Sequence, residues 1–552
     1  MLTVIQPPIS GFGKLTINWS VLAWIALVPF ILACSPDAKP KVLVIVAYVI
    51  SFFYWLGNLY WIYPVTWIGW VAFCLYIGIL WPLMALCLRY CRIKKIPLFL
   101  AVPVLVVGTE RLQGLFLGGF FWRFLAHSQY ANITLIQTAD IFGAAGISFI
   151  VAMVNGLAAE LIIAVSQKDI FRIGNFIKAA VTGVVLIIAV LYGRWRIEQT
   201  DSCVEQGPLV AAVQTNVPQS VKESFGAEDE ILNKLLENGT AAAKDGVELV
   251  VWPETMVLAT LDPKVLSRLT NSYHCKIVDE KLKEYSKKNA VFMLAGAYGG
   301  TLGLKEDMTY EMAERYNSAF LYTPEGAQES KQYNKIHIVP FGEIVPFKKS
   351  FPLLHTLLMK FTPYDYDYSL DYGTEYTVFR MPSRAGKEYK FSVMICYEDS
   401  IPQIARRFAV DERGQKKIDW LVNISNDGWF VKFAGGNVLP STELAQHTAV
   451  CVFRAVENRI AVLRSVNTGI SCLIDSVGRI KDGFQAGTLP HKPMRRTAVE
   501  GWFADRVPID KRVAIFSIYG QWLDVCCAGC VVILLLIQVL GRFGRNKRYA
   551  KV

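Results

Sequence analysis

The sequence predicts a molecule in two parts, a bundle of membrane-crossing helices joined to an α/β layered sandwich. Hydrophobic residues fill 53% of 552 positions and the mean hydropathy is +0.33, too apolar for an enzyme wholly exposed to water. The apolar residues gather toward the two ends, in runs near the ~20 residues that cross a bilayer. Between them lie about 300 ordinarily polar residues, enough for one sizeable core, in which short apolar runs alternate with helical patterns.

Seven spans are expected, near 18–34, 42–63, 66–88, 97–112, 141–165, 177–193 and 518–540. They divide the chain into a multi-span region 1–195, a polar region 196–510, and a last helix with a basic tail, 511–552. Positive charge stays cytoplasmic, and that sets the orientation. Arg89, Arg92, Lys94 and Lys95 cluster in one loop; Lys168, Arg172 and Lys178 lie two spans later. Arg542, Arg545, Lys547, Arg548 and Lys551 mark the tail. All three groups share a side only if the polar region faces the other, outside the cytoplasm, and seven spans then place the N-terminus outside as well. These anchors account for part of the net charge of +11, and no basic stripe interleaved with aromatics marks a nucleic-acid surface. Ile31-Leu-Ala-Cys34 faintly matches a lipoprotein cleavage box, but only Lys14 precedes it where a signal peptide carries several positive charges. A plain first span is expected.

Seven of the twelve cysteines lie in or beside spans, where a thiol behaves as a small hydrophobe. Cys203, Cys275, Cys396, Cys451 and Cys472 remain in the polar region without CxxC spacing. An odd thiol there is accidental or kept reduced for use. The six histidines show neither HxH nor HExxH, so no metal site or cofactor is expected.

In the polar region 208–214, 247–252, 291–296, 318–323, 391–396 and 419–424 are expected strands, with helices at 227–244, 278–288 and 441–458. Tyr322-Thr-Pro-Glu-Gly326 signals a hairpin. The stretch 350–380 lacks a period and is expected to be a long loop, a candidate lid through Phe361, Tyr364, Tyr366 and Tyr368.

Three residues at strand ends carry the candidate chemistry. Cys396 closes Phe391-Ser-Val-Met-Ile-Cys396, where a nucleophile is held rigidly. Its thiolate is the reactive form, so it needs a lowered pKa or a nearby base. Glu254, after Leu249-Val-Val-Trp-Pro, is placed to be that base. Lys335 is placed to stabilise an oxyanion, worth about 3 kcal/mol for one such donor. Each has a plainer reading: an inert core thiol, a solvated turn carboxylate, a surface lysine. Their joint occurrence inside distinctive strings tips the balance.

Trp252-Pro-Glu254, Tyr316-Asn-Ser318, Tyr333-Asn-Lys335, Val339-Pro-Phe-Gly-Glu343, Ile395-Cys-Tyr-Glu398 and Asn423-Ile-Ser-Asn-Asp-Gly-Trp-Phe430 together resemble the nitrilase, or carbon–nitrogen hydrolase, superfamily. With its multi-span start and single late span, the chain is similar to the apolipoprotein N-acyltransferase family. Thr109-Glu-Arg111, Gly119-Phe-Phe-Trp122, Ser128-Gln129 and Gly143 to Asn155-Gly156 add to this, as do Gln446-His447, Arg454-Ala455 and Arg464-Ser-Val-Asn-Thr-Gly469.

The resemblance implies a four-layer αββα sandwich with a Glu254, Lys335 and Cys396 triad, on the periplasmic face of a bacterial inner membrane. It implies that Glu343 and Glu398 support the triad, and that Tyr397 supports the nucleophile or lines an acyl pocket. It implies a two-step transfer without a cofactor. Cys396 takes an acyl chain from a membrane phospholipid as a thioester; the α-amine of a diacylglyceryl-modified N-terminal cysteine on an apolipoprotein then accepts it. Tyr60, Trp61, Trp67, Trp70, Phe120, Phe121 and Trp122 suit an interfacial belt, or ordinary anchoring. Two departures stand out. The family commonly begins with a further span, and it places an aromatic soon after a lysine where Lys222-Glu-Ser-Phe225 sets it later.

Three rivals compete. A membrane-tethered amidase or nitrilase would use the same triad, but a tether needs one span. A non-catalytic scaffold would have lost a triad residue. A transporter requires ionisable residues at mid-depth, and Glu110, Arg111 and Asp140 lie near span ends.

Overall fold

Among the described residues, five helices are long and apolar enough to cross a bilayer: Pro40–Asn58, Trp67–Ile93, Ala144–Ser166, Ile173–Cys203 and Trp522–Gly541. The structure, a computed structural model, describes residues 19–115, 118–244, 246–268, 272–306, 309–348, 350–360 and 368–549. It divides into two compact units. One comprises the described residues up to Tyr63, Trp67–Gln199 and those from Tyr519 onward; the other is Pro64–Thr66 with Thr200–Ile518. The expected side of the N-terminus, with Lys14, falls outside the described residues.

Two of the seven expected spans are not among these long helices. The first is a 3-10 turn, Trp19–Trp24, and a short helix, Val28–Ala33. The fourth, Leu98–Gln113, has 16 residues with Pro103 inside, and Val102, Leu105 and Val107 are buried by its neighbours. Small residues let those neighbours approach. A Cβ on Gly156 would lie 2.3 Å from Leu98 O, and one on Gly108 would lie 2.6 Å from Cys527 O. Asn155, from the same family string, accepts from Leu27 N at 2.8 Å and donates to Ala23 O at 2.9 Å, tying the first segment to the helix Ala144–Ser166.

The expected aromatic belt is only partly at the surface. Tyr60 and Trp67 are exposed, but Trp61, Phe121 and Trp122 are buried, with Trp61 and Trp122 rings 5.9 Å apart. A buried ring gains more from packing than from a headgroup contact.

Among the described residues, the second unit is built on fourteen strands. The first eight are β1 (Val204–Gln214), β2 (Leu249–Val251), β3 (Phe292–Leu304), β4 (Tyr310–Tyr322), β5 (Gln328–Asn334), β6 (Phe379–Pro382), β7 (Glu388–Ile395) and β8 (Trp420–Ser425). The rest are β9 (Lys432–Ala434), β10 (Asn437–Leu439), β11 (Ala461–Val466), β12 (Cys472–Ile474), β13 (Ala486–Gly487) and β14 (Gly501–Asp510). One mixed sheet runs β13-β14-β1-β2-β3-β4-β5 and another β12-β11-β8-β7-β6, while β9 and β10 form a hairpin. All six expected strands are present. The expected turn at Thr323–Gly326 joins β4 to β5, with Thr323 N donating to Ala327 O at 2.8 Å.

The sheets pack face to face. Ser465 Oγ on β11 reaches Val213 O on β1 at 2.9 Å and Val251 O on β2 at 3.0 Å. Helices Ala227–Ala242 and Tyr273–Asn289 cover the outer face of the first sheet, with Ile231, Leu235, Val278 and Leu282 packed on Val250, Met293 and Phe320. Helices Pro402–Ala409 and Glu443–Asn458 lie against β7 and β11 of the second. The order is α, β, β, α. The expected loop 350–380 contains a helix, Pro352–Met359, with no buried residue. Of the lid candidates, Phe361, Tyr364 and Tyr366 lie outside the described residues.

Candidate active site

The ends of β2, β5 and β7 bring the three candidate residues into one charged cluster. Glu254 follows β2 through Trp252-Pro253 and is buried. Its Oε1 accepts from Asn317 Nδ2 at 2.6 Å and from Lys335 Nζ at 3.4 Å, and its Oε2 from Asn426 N at 2.7 Å. Lys335 follows β5 and is 1% exposed. Its backbone N–H reaches Asn317 O at 2.8 Å, and its ammonium lies 2.8 Å from Glu343 Oε2. Burial opposes that charge, but Glu343, then Glu254 and Cys396, outweigh it and shift the lysine upward, so it stays protonated.

Cys396 ends β7 with φ +53°, a left-handed turn that non-glycine residues seldom adopt. The turn lifts a half-buried thiol out of the strand end. Burial, then the charge of Glu254, pushes the thiol well above its ordinary range, while Lys335 and His447 pull the other way. The resting nucleophile is therefore a thiol, and it needs a base to react.

Glu343 bridges outward: Oε2 accepts from Val339 N at 3.0 Å, and Asn317 Nδ2 donates to its Oε1 at 2.9 Å. Asn317 thus holds two carboxylates apart around one lysine. Glu398 is fully buried between the lysine's loop and the nucleophile's turn. Ile336 N, at 2.7 Å, and His337 N, at 3.0 Å, donate to Oε1; Ile395 N donates to Oε2 at 2.7 Å. Tyr333 OH adds bonds of 2.8 Å to both oxygens. Burial raises this carboxyl to about 7 against those donors. Tyr397 is half-buried and tilts against the His337 ring at 5.8 Å.

Residues 1–157 match the apolipoprotein N-acyltransferase N-terminal domain, and residues 209–489 match the carbon–nitrogen hydrolase family. An apolipoprotein N-acyltransferase of Geobacter metallireducens is 30% identical over 541 residues, covering 94% of this chain and 91% of its own. The chain belongs to the apolipoprotein N-acyltransferase family. Relatives of the same name include one from Chlorobaculum tepidum, 25% identical over 94% of this chain and 92% of its own. Apolipoprotein N-acyltransferase 1 of Treponema denticola is 26% identical over 81% of this chain and 78% of its own. Membership in this acyltransferase family makes the chain an enzyme and sets the tethered-amidase reading aside.

Behind the nucleophile of this apolipoprotein N-acyltransferase family member lies a charge network that sequence reasoning missed. His447 Nε2 meets Asp399 Oδ1 at 2.8 Å, and its Nδ1 faces Glu443 at 3.1 Å and Asp427 at 3.4 Å. Arg464 Nη1 donates to Asp399 Oδ2 at 2.6 Å and to Asn423 Oδ1 at 2.8 Å; Asn423 Nδ2 reaches Cys396 O at 3.2 Å. The network fixes the turn after β7 against β8. Asp427, Glu443 and His447 also have ligand atoms within 4.8 Å of one another, the spacing a metal ion needs. The charges nearly balance without one. Burial opposes protonation of His447, but Asp399 and Asp427 shift it upward, Arg464 is cationic, and burial lifts Glu443 to about 7. The i, i+4 spacing of Glu443 and His447 and the quoted strings that hold Asp427, His447 and Arg464 were the available signals; that these groups meet comes only through the fold.

Proposed function

We propose that Glu254, Lys335 and Cys396 transfer an acyl chain from a membrane phospholipid to the α-amine of a diacylglyceryl-modified N-terminal cysteine of an apolipoprotein. The observation that carries this is the buried cluster itself: a protonated lysine held between two carboxylates, beside a thiol on a left-handed turn. In the first half-reaction Glu254 takes the thiol proton as Cys396 Sγ attacks the ester carbonyl. Lys335 faces the developing oxyanion. The tetrahedral adduct expels the lysophospholipid oxygen, which recovers the proton from Glu254, and a thioester remains. In the second half-reaction the acceptor amine attacks the thioester, Glu254 takes the amine proton, and Cys396 leaves and regains it.

Glu343 and Glu398 position the lysine and the nucleophile's turn, and Tyr397 borders the nucleophile. The periplasmic placement of 196–510, the multi-span region 1–195 and a cytoplasmic tail after the last helix, 511–552, follow the positive-charge pattern and belong to the same reading. Membrane helices in the same chain suit substrates that stay in a bilayer, since extracting an acyl chain costs about 0.8 kcal/mol per methylene. The test supplies purified full-length protein with phospholipid and a synthetic diacylglyceryl-cysteinyl peptide. A product heavier by one acyl chain, with its α-amine blocked, supports the reading. Free fatty acid with an unchanged peptide contradicts it.

A further inference from the structure

The mechanism above leaves one buried lysine unused. Lys222 ends the short turn Gln219–Lys222 after β1, and it is only 6% exposed. A buried ammonium is costly unless it is paired. Among the described residues it has no carboxylate at ion-pair distance. Its Nζ donates instead to Thr255 Oγ1 at 2.7 Å, beside the backbone of Glu254.

Two features make that contact more than packing. Thr255 has φ +47°, a conformation that β-branched residues rarely adopt. β3 also presses against the same turn: a Cβ on Gly296 would lie 2.4 Å from Pro253 O and 2.7 Å from Glu254 Cα. The turn that carries Glu254 is thus packed against a backbone with no room to spare and bonded by a lysine through a hydroxyl.

Charge counting points the same way. Lys335 from the end of β5 and Glu343 from the next loop face Glu254, with Tyr298 from β3 and Cys396 from the end of β7. Two carboxylates and one ammonium leave one negative charge unpaired among these groups. Lys222 supplies the second cation. Burial lowers it to about 8, and Glu254, then Glu223, are the charges that act to hold its proton on.

We propose that Lys222 is a positioning residue for Glu254: through Thr255 it holds the strained turn that carries the base, and its charge keeps that base ionised. The inference rests on Glu254 being the general base. A cation near a carboxylate favours its charged form, so removing the cation moves the acidic limb of the pH–rate profile to higher pH.

The experiment follows acylation of Cys396 by intact mass, in full-length enzyme mixed with phosphatidylethanolamine vesicles, across pH. Lys222→Met is expected to move the acidic limb up by about one pH unit, slowing acylation about tenfold below it. Lys222→Arg is expected to restore the wild-type limb. Lys222→Gln keeps a donor for Thr255 without the charge and is expected to shift like Lys222→Met, which separates charge from folding. A limb unmoved in both Lys222→Met and Lys222→Gln, or moved as far in Lys222→Arg, overturns the inference. A wild-type protein that never acylates on Cys396 removes the acyl-transfer reading itself.

Discussion

Glu398 accepts from three backbone N–H groups and a tyrosine hydroxyl, and those donors come from around the lysine and from the end of the nucleophile's strand. Glu398→Ala leaves them buried without an acceptor, so a loss of about 3 kcal/mol is expected in thermal or denaturant unfolding. Glu254 makes a different kind of prediction. Burial keeps Cys396 a thiol that needs Glu254 as its base, so Glu254→Gln is expected to slow its alkylation by iodoacetamide at neutral pH. The same change removes the base, and phospholipid-driven acylation is expected to fall by about 10²-fold or more. Wild-type rates of both reactions in that variant would contradict the role. Glu254, Lys335 and Cys396 were legible because each sits in a dense string at a strand end. Asn317, Lys222 and His447 also stand in strings that the sequence singles out, but a string does not say which buried carboxylate its polar residue will meet.

Strand ends position every one of these groups, so element packing bears directly on chemistry. Gly296 on β3 leaves no room for a methyl group beside Pro253 O. Gly296→Ala is expected to displace the Glu254 turn, to cost about 1–3 kcal/mol of stability in thermal unfolding, and to slow acylation of Cys396. Wild-type acylation kinetics in that variant would show that the turn tolerates displacement. The strands with continuous apolar runs, such as β1, β7 and β8, were visible in the sequence because both faces are covered. β5 (Gln328–Asn334) was not, since it is polar and lies at a sheet edge. β14 (Gly501–Asp510) was missed for another reason: it carries charges and Pro508, with a bulge opposite in β1 between Gln206 and Leu209. It is a long strand that lacks a clean period.

At the scale of the whole molecule, hydropathy located the five long apolar helices among the described residues, but not how each apolar segment is used. Leu98–Gln113 is apolar because other helices surround it, and a surrounded helix and a lipid-facing one look alike in composition. The basic clusters lead to a topology prediction. Green fluorescent protein fused after Val552 is expected to fluoresce, and alkaline phosphatase fused there to be inactive, as for a cytoplasmic tail. An active phosphatase would invert the orientation. The account as a whole stands on a thioester at one residue. Intact-mass spectrometry of the full-length protein after incubation with phospholipid, beside Cys396→Ala, tests it most directly. The predicted result is an acyl-sized, hydroxylamine-labile adduct on the wild type alone, discharged by a diacylated lipopeptide. A wild-type mass unchanged by phospholipid, or an adduct that persists in Cys396→Ala, would contradict it.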